Sequence, residues 1–159
     1  MIFVAVGTQK FQLNRLLKAV DELKEQGQLK DEVFAQTGHS DYIPRHYAYQ
    51  DFLSRDDFQD CISRCDLLIT HSGVATIIAG LKLHKRVVVV PRLAKFAEHV
   101  DDHQLQIAQS FAEKNLLLMC QDLEQLGETL ERARTHSFAE YVSRRDRVIN
   151  TIRDYLETI

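Results

Sequence analysis

Residues 67–91 read LLITHSGVATIIAGLKLHKRVVVVP. Two short β-rich runs, LLIT and RVVVV, flank a turn of small polar residues and a helix-length segment. Each run is apolar at consecutive rather than alternate positions, the pattern of a strand covered on both faces. Strand, helical crossover and second strand together make a parallel βαβ unit. The turn between them carries His71, Ser72 and Gly73. It reads either as a phosphate-binding turn or as an ordinary connection in which Ser72 caps the helix.

The same alternation continues in both directions. MIFVAVG (1–7) is a strand ending in Gly7, and FQLNRLLKAVDELKEQG (11–27) sets Phe11, Leu13, Leu16, Leu17, Val20 and Leu23 on one helical face. EVFAQTG (32–38) is a second strand, HYAYQDFL (46–53) holds a short third, and RDDFQDCISRC (55–65) is a helix. Beyond Pro91, DHQLQIAQSFAEKN (102–115) is a helix, LLLMC (116–120) a strand and DLEQLGETLERAR (122–134) a helix. A last amphipathic helix is expected over about 138–157, with Phe138, Tyr141, Val142, Val148, Ile149, Ile152 and Tyr155 on its apolar side. The expected fold is α/β: a doubly wound, Rossmann-like parallel sheet in one domain spanning 1–159, a length sufficient for one buried core.

Composition narrows the function classes. The formal net charge is -3 with no basic block, which disfavours nucleic acid and electrostatic membrane anchoring. No run approaches the ~20 apolar residues that span a bilayer, and the start lacks the basic region of a signal peptide. The protein reads as soluble and intracellular. Cys61, Cys65 and Cys120 lack the further Cys or His neighbours of a metal site and read as buried, reduced thiols. There is no G-x-G-x-x-G, no P-loop and no G-x-S-x-G elbow.

In doubly wound sheets, ligands bind outside the carboxyl ends of the strands. Those ends read VGTQ, QTGHS, YQDF, THSG and PRLAKFAEHVDDHQ. Gly7 and Thr8 can form a backbone N–H cradle. Gly73 permits close approach to the free N–H groups of the next helix, with Ser72, Thr76 and His71 as added donors. After Pro91, the loop carries Arg92 and Lys95, and Glu98, Asp101, Asp102, His103 and Gln104 crowd the next helix start. These acidic and amide groups either cap that helix or hold sugar hydroxyls.

Together, MIFVAVGTQKFQLNRLLKAVDEL, ITHSGVATIIAGLKLHKRVVVVPR and EHVDDHQLQ resemble the C-terminal domain of family 28 glycosyltransferases. The resemblance is to its small stand-alone members: bacterial exopolysaccharide and capsule β-1,4-glycosyltransferase subunits and the soluble subunit of the dolichol-linked N-acetylglucosaminyltransferase. It implies the donor-binding C-terminal half of a GT-B enzyme, with a membrane-bound partner supplying the acceptor-binding half. The reaction it implies is inverting, metal-independent and cofactor-free transfer of a hexose from a UDP-sugar to a lipid-linked saccharide. The protein would then sit in the cytoplasm, at the inner face of the membrane through its partner.

Carried onto this chain, the family pattern sets Gly7 and Thr8 in the first loop at the cleft. His71, Ser72, Gly73, Ala75 and Thr76 line the diphosphate turn, and Glu98, Asp102, His103 and Gln104 face the sugar and ribose. His71, Glu98 and His103 are the catalytic candidates, with the general base otherwise supplied by the partner. The chain departs from the pattern at Ala79, where many relatives carry an acidic residue, and at Val74, where many carry a glycine or proline. A non-catalytic accessory subunit that enhances a partner transferase is the alternative.

Overall fold

The computed structural model describes residues 1–143. Six strands form one sheet: β1 (Ile2–Ala5), β2 (Val33–Gln36), β3 (Ala48–Gln50), β4 (Leu67–Thr70), β5 (Arg86–Val89) and β6 (Leu118–Met119). Their order is β3-β2-β1-β4-β5-β6 and every pairing is parallel. β1 is central, with Ile2 registered against both Val33 and Leu67, and Ala5 against Gln36 and Thr70.

Among the described residues, five α-helices cover the two faces: α1 (Asn14–Glu25), α2 (Arg55–Arg64), α3 (Val74–Lys82), α4 (His103–Glu113) and α5 (Leu126–Thr135). Strand residues alternate between faces, which divides the core. Ile2, Val4, Ile69 and Val88 pack with Leu16, Leu17 and Val20 of α1 and with Leu126 and Leu130 of α5. Phe3, Ala5, Leu68, Val87 and Val89 pack with Ile62 of α2, Ile77 and Leu81 of α3 and Ala108 of α4. Burial on both faces explains why the central strands read as unbroken apolar runs.

The outer strands are shorter than their sequence runs: β3 is an exposed edge and β6 spans two residues. Cys61, Cys65 and Cys120 are buried free thiols, their pKa values raised by burial. At the end of α5, Arg86 Nη1 donates to the carbonyls of Ala133 (2.7 Å) and His136 (2.8 Å), and the chain leaves in an extended conformation. Residues 138–143 are therefore irregular rather than the start of a helix, and the rest of the helix expected over 138–157 lies outside the described residues. Among the described residues, no helix is long and apolar enough to cross a membrane.

Candidate functional site

The order of strand addition reverses at β1 and β4, although every strand runs the same way. From this pair, successive strands are added outward in opposite senses, so the connections after β1 and β4 part to opposite sides and leave a crevice at their carboxyl ends. A cleft of about 470 Å³ opens there. Its walls are Gly7, Thr8 and Gln9 after β1, Gln36 of β2, Leu53, Arg55 and Phe58 around the start of α2, and His71 with Gly73–Thr76 after β4.

At the start of α3, the capping position belongs to Gly73, which has no side chain to offer, and among the described residues no other side chain caps the helix. Ser72 does not fill that role. It is 2% exposed, and its Oγ has no hydrogen-bond partner among the described residues. The first-turn N–H groups and the positive end of the helix therefore face the cleft uncapped.

His71 sits beneath this turn. A Cβ built on Gly7 would lie 2.6 Å from His71 Nε2, and one built on Gly73 equally 2.6 Å from it. Both are closer than real carbon contacts, so glycine on each side is what lets the ring edge stand between the two strand-end loops. Gly7 also has φ of 86°, in the left-handed region. The other ring nitrogen, Nδ1, lies 3.3 Å from Gln104 Nε2. Burial, and then the positive charge of Arg92, push the His71 pKa down to about 4, so the ring is neutral at physiological pH.

Behind the cleft, polar groups are engaged with one another. Gln104 is buried at the start of α4, and its Oε1 accepts from the backbone N–H of Ser72 (3.3 Å) and of Arg92 (3.0 Å). Arg92 is 1% exposed, and its guanidinium donates to the carbonyls of Val6 and Phe11 (3.2 Å for the latter). Burial lowers its pKa to about 10, with the charge of Glu98 acting in the opposite direction. Glu98 is 1% exposed; its carboxylate accepts two bonds of 3.0 Å from the Arg15 guanidinium and one of 3.0 Å from Leu93 N–H.

Asp102 Oδ1 accepts from Ala94 N–H (2.9 Å) and Asp101 Oδ1 from His103 N–H (2.9 Å). The His103 side chain is exposed at the first residue of α4.

The structure thus gathers Gly7, Thr8, His71, Gly73, Ala75 and Thr76 into one cleft. Ser72, Glu98 and Gln104 are buried behind it, and Asp102 and His103 lie outside its lining. It adds Gln9, Gln36, Leu53, Arg55, Phe58 and Val74, which sequence reasoning did not select. The strand-end rule pointed at YQDF, and Arg55 lies just beyond it. Arg55 is exposed, with no ion pair or hydrogen bond among the described residues. Among the described residues, no carboxylate lines the cleft and no group of His, Cys, Asp and Glu is placed to hold a metal ion.

Comparison with known proteins gives the family. Residues 1–159 match the model of the Glycosyltransferase family 28 C-terminal domain, and the chain belongs to that family. It is 32% identical over 72 residues to UDP-N-acetylglucosamine transferase subunit ALG13 of Yarrowia lipolytica, a match covering 45% of this chain and 35% of that protein. With the human protein of the same name it is 26% identical over 126 residues, covering 75% of this chain and 11% of the relative. The chain thus spans well under half the length of either.

Among solved structures, the glycotransferase of kitacinnamycin superposes with a TM-score of 0.63 at 17% identity, covering 85% of this chain and 35% of that one. MurG of Acinetobacter baumannii gives a TM-score of 0.53 at 24% identity, covering 83% and 41%. These likenesses are of fold: the chain has a Rossmann-like α/β fold, shared with one part of each of these glycosyltransferases.

Proposed function

We propose that this family 28 domain binds the diphosphate of a UDP-sugar in the cleft between β1 and β4. In this reading it is the donor-binding catalytic subunit of a two-component inverting hexosyltransferase. The observation that carries the proposal is the uncapped start of α3 beside the His71 ring edge, held between Gly7 and Gly73. A diphosphate fits this chemistry because it presents acceptor oxygens and negative charge to N–H donors and a positive helix end. Leu53 and Phe58 offer apolar surface for a nucleobase, and Arg55 a cation at the rim.

Transfer of the sugar leaves its negative charge on the departing UDP. Backbone N–H groups and the His71 ring are fixed before the reaction, so they stabilise that charge without reorganising. This can proceed without a metal ion or other cofactor. The acceptor hydroxyl must lose its proton to a general base. Glu98 is unsuited, since Arg15 and Leu93 already occupy its carboxylate. His71 is committed beneath the turn, and the exposed His103 lies outside the cleft lining. We assign the base to a membrane-bound acceptor-binding partner, which would present a lipid-linked saccharide in polysaccharide synthesis and hold this chain at the inner face of the membrane. The name of the ALG13 relatives, a transferase subunit, supports a division of labour of this kind.

The experiment is a calorimetric titration with UDP, with GDP and AMP as controls, on the chain alone and with its partner. Selective UDP binding is expected. Absence of binding in both preparations would refute the donor site and favour a non-catalytic accessory subunit.

A further inference from the structure

Gln104 has a hydrogen-bonding pattern that decides the state of its neighbour. One amide oxygen accepts from two backbone N–H groups, those of Ser72 and Arg92. Backbone N–H groups can only donate, so this end of the amide is the oxygen. The opposite end is therefore NH2, and it faces His71 Nδ1 at 3.3 Å. A ring nitrogen that accepts from NH2 carries no proton, so a neutral ring has its proton on Nε2. Nε2 is the atom at the edge between Gly7 and Gly73.

We propose that Gln104 and Arg92 are positioning residues that act through His71, holding its ring as the Nε2–H tautomer so that the cleft meets a hydrogen-bond donor and never a lone pair. The value of this arrangement for binding rests on the diphosphate reading of the cleft; the tautomer itself does not. Gln104 selects the tautomer by donating to Nδ1. Arg92 fixes the loops on either side, through its own N–H to Gln104 and its guanidinium to Val6 and Phe11.

Arg92 also opposes a second proton on the ring. The titratable groups acting electrostatically on His71 are Arg92 and His99, both in the loop after β5, and both oppose its protonation. Glu98 lies near Arg92, but its carboxylate is tied to Arg15 and Leu93. Gln104 from α4 brings no charge.

Ring ¹⁵N NMR on the full chain without ligand tests the assignment directly. The expected spectrum has Nε2 protonated and Nδ1 bare; a protonated Nδ1 would overturn the proposal. Gln104→Glu keeps an oxygen for the Ser72 and Arg92 N–H groups but replaces the NH2 donor with an acceptor. In this variant the proton should move to Nδ1, and UDP affinity should fall roughly tenfold at neutral pH. Affinity should recover toward acid pH as a second proton restores Nε2–H.

In a His71→Ala background, Gln104→Glu should change UDP affinity by less than about twofold, because the two residues act as one unit. An undiminished effect there would show that Gln104 touches the ligand itself and overturn the claim. In Arg92→Gln, the ring should take its second proton at higher pH, with Arg92→Lys restoring the wild-type behaviour; an unmoved titration removes Arg92 from the proposal. An Nε2–H ring in a chain that binds no UDP would refute the diphosphate reading and leave the positioning roles decided by the spectra.

Discussion

The loops after β4 and β5 make an instructive pair. Both leave a buried parallel strand at its carboxyl end, and both are rich in residue types that bind phosphates and sugars. The first, His71–Thr76, leaves a helix start uncapped and a ring edge facing the cleft. The second, residues 92–102, turns its polar groups on itself, on α1 and on the segment between β1 and α1. Glu98 is held by Arg15 and Leu93, Asp102 by Ala94, and Arg92 by Val6 and Phe11. Binding capacity therefore depends on which donors and acceptors remain unpaired, and residue type alone does not reveal that.

The largest expected effect is at the open loop. In Gly73→Asp, the new Cβ would meet the His71 ring at 2.5 Å, and a carboxylate would stand at the helix start. Like charges brought together cost several kcal/mol, so UDP affinity should fall roughly a thousandfold by calorimetry. Gly73 has φ of -78°, ordinary for any residue, so the cooperative unfolding transition should persist. Unchanged affinity would end the claim that this loop is the diphosphate site.

Acid should weaken the fold through the same histidine. The His71 pKa is about 4 in the folded chain against 6.5 for an unperturbed ring, so the unfolded chain binds more protons between those values. Stability then rises with pH across that window and is lost as pH falls from about 6.5 toward 4. The loss is on the order of 3 kcal/mol. Urea unfolding at stepped pH should show that His71→Gln removes this part of the acid sensitivity; an identical pH slope in the variant would contradict a buried neutral ring.

At the closed loop, Glu98→Gln should separate stability from binding. It leaves Arg15 without its carboxylate and costs about 2 kcal/mol, a charge-assisted pair of bonds on a partly exposed arginine. Denaturant unfolding should register that loss while UDP affinity changes little. A loss of affinity as large as that of Gly73→Asp would erase the contrast between the two loops. The smallest expected effect is Arg55→Ala, a decrease of roughly tenfold in UDP affinity that shrinks with added salt, as expected for a rim charge. A salt-independent change would show that Arg55 acts through packing instead.

Much of the architecture was legible because burial on both faces leaves a local mark. RVVVV and LLIT read as covered strands without knowledge of their neighbours, and the strand-end rule then pointed to His71–Thr76 and Gly7. The edges were less legible. HYAYQDFL and LLLMC yielded strands of three and two residues, because an edge strand extends only as far as its single neighbour pairs with it. The choice at Ser72 between a helix cap and a phosphate turn was left open by the sequence; the fold puts Gly73 at the capping position and buries the Ser72 side chain. Arg55 was missed because its reach into the cleft depends on how α2 packs beside the sheet.

By itself, the sequence determined the parallel doubly wound sheet and the loops at its carboxyl edge, since periodicity, glycine placement and strand–helix alternation act over neighbouring residues. Tertiary structure decided which polar groups in those loops remain available. Glu98 meets Arg15 across 83 positions, Arg92 meets Val6 across 86, and Gln104 meets His71 across 33. A hydrogen bond is satisfied by whichever group arrives at about 3 Å, and only the packed fold decides which one arrives.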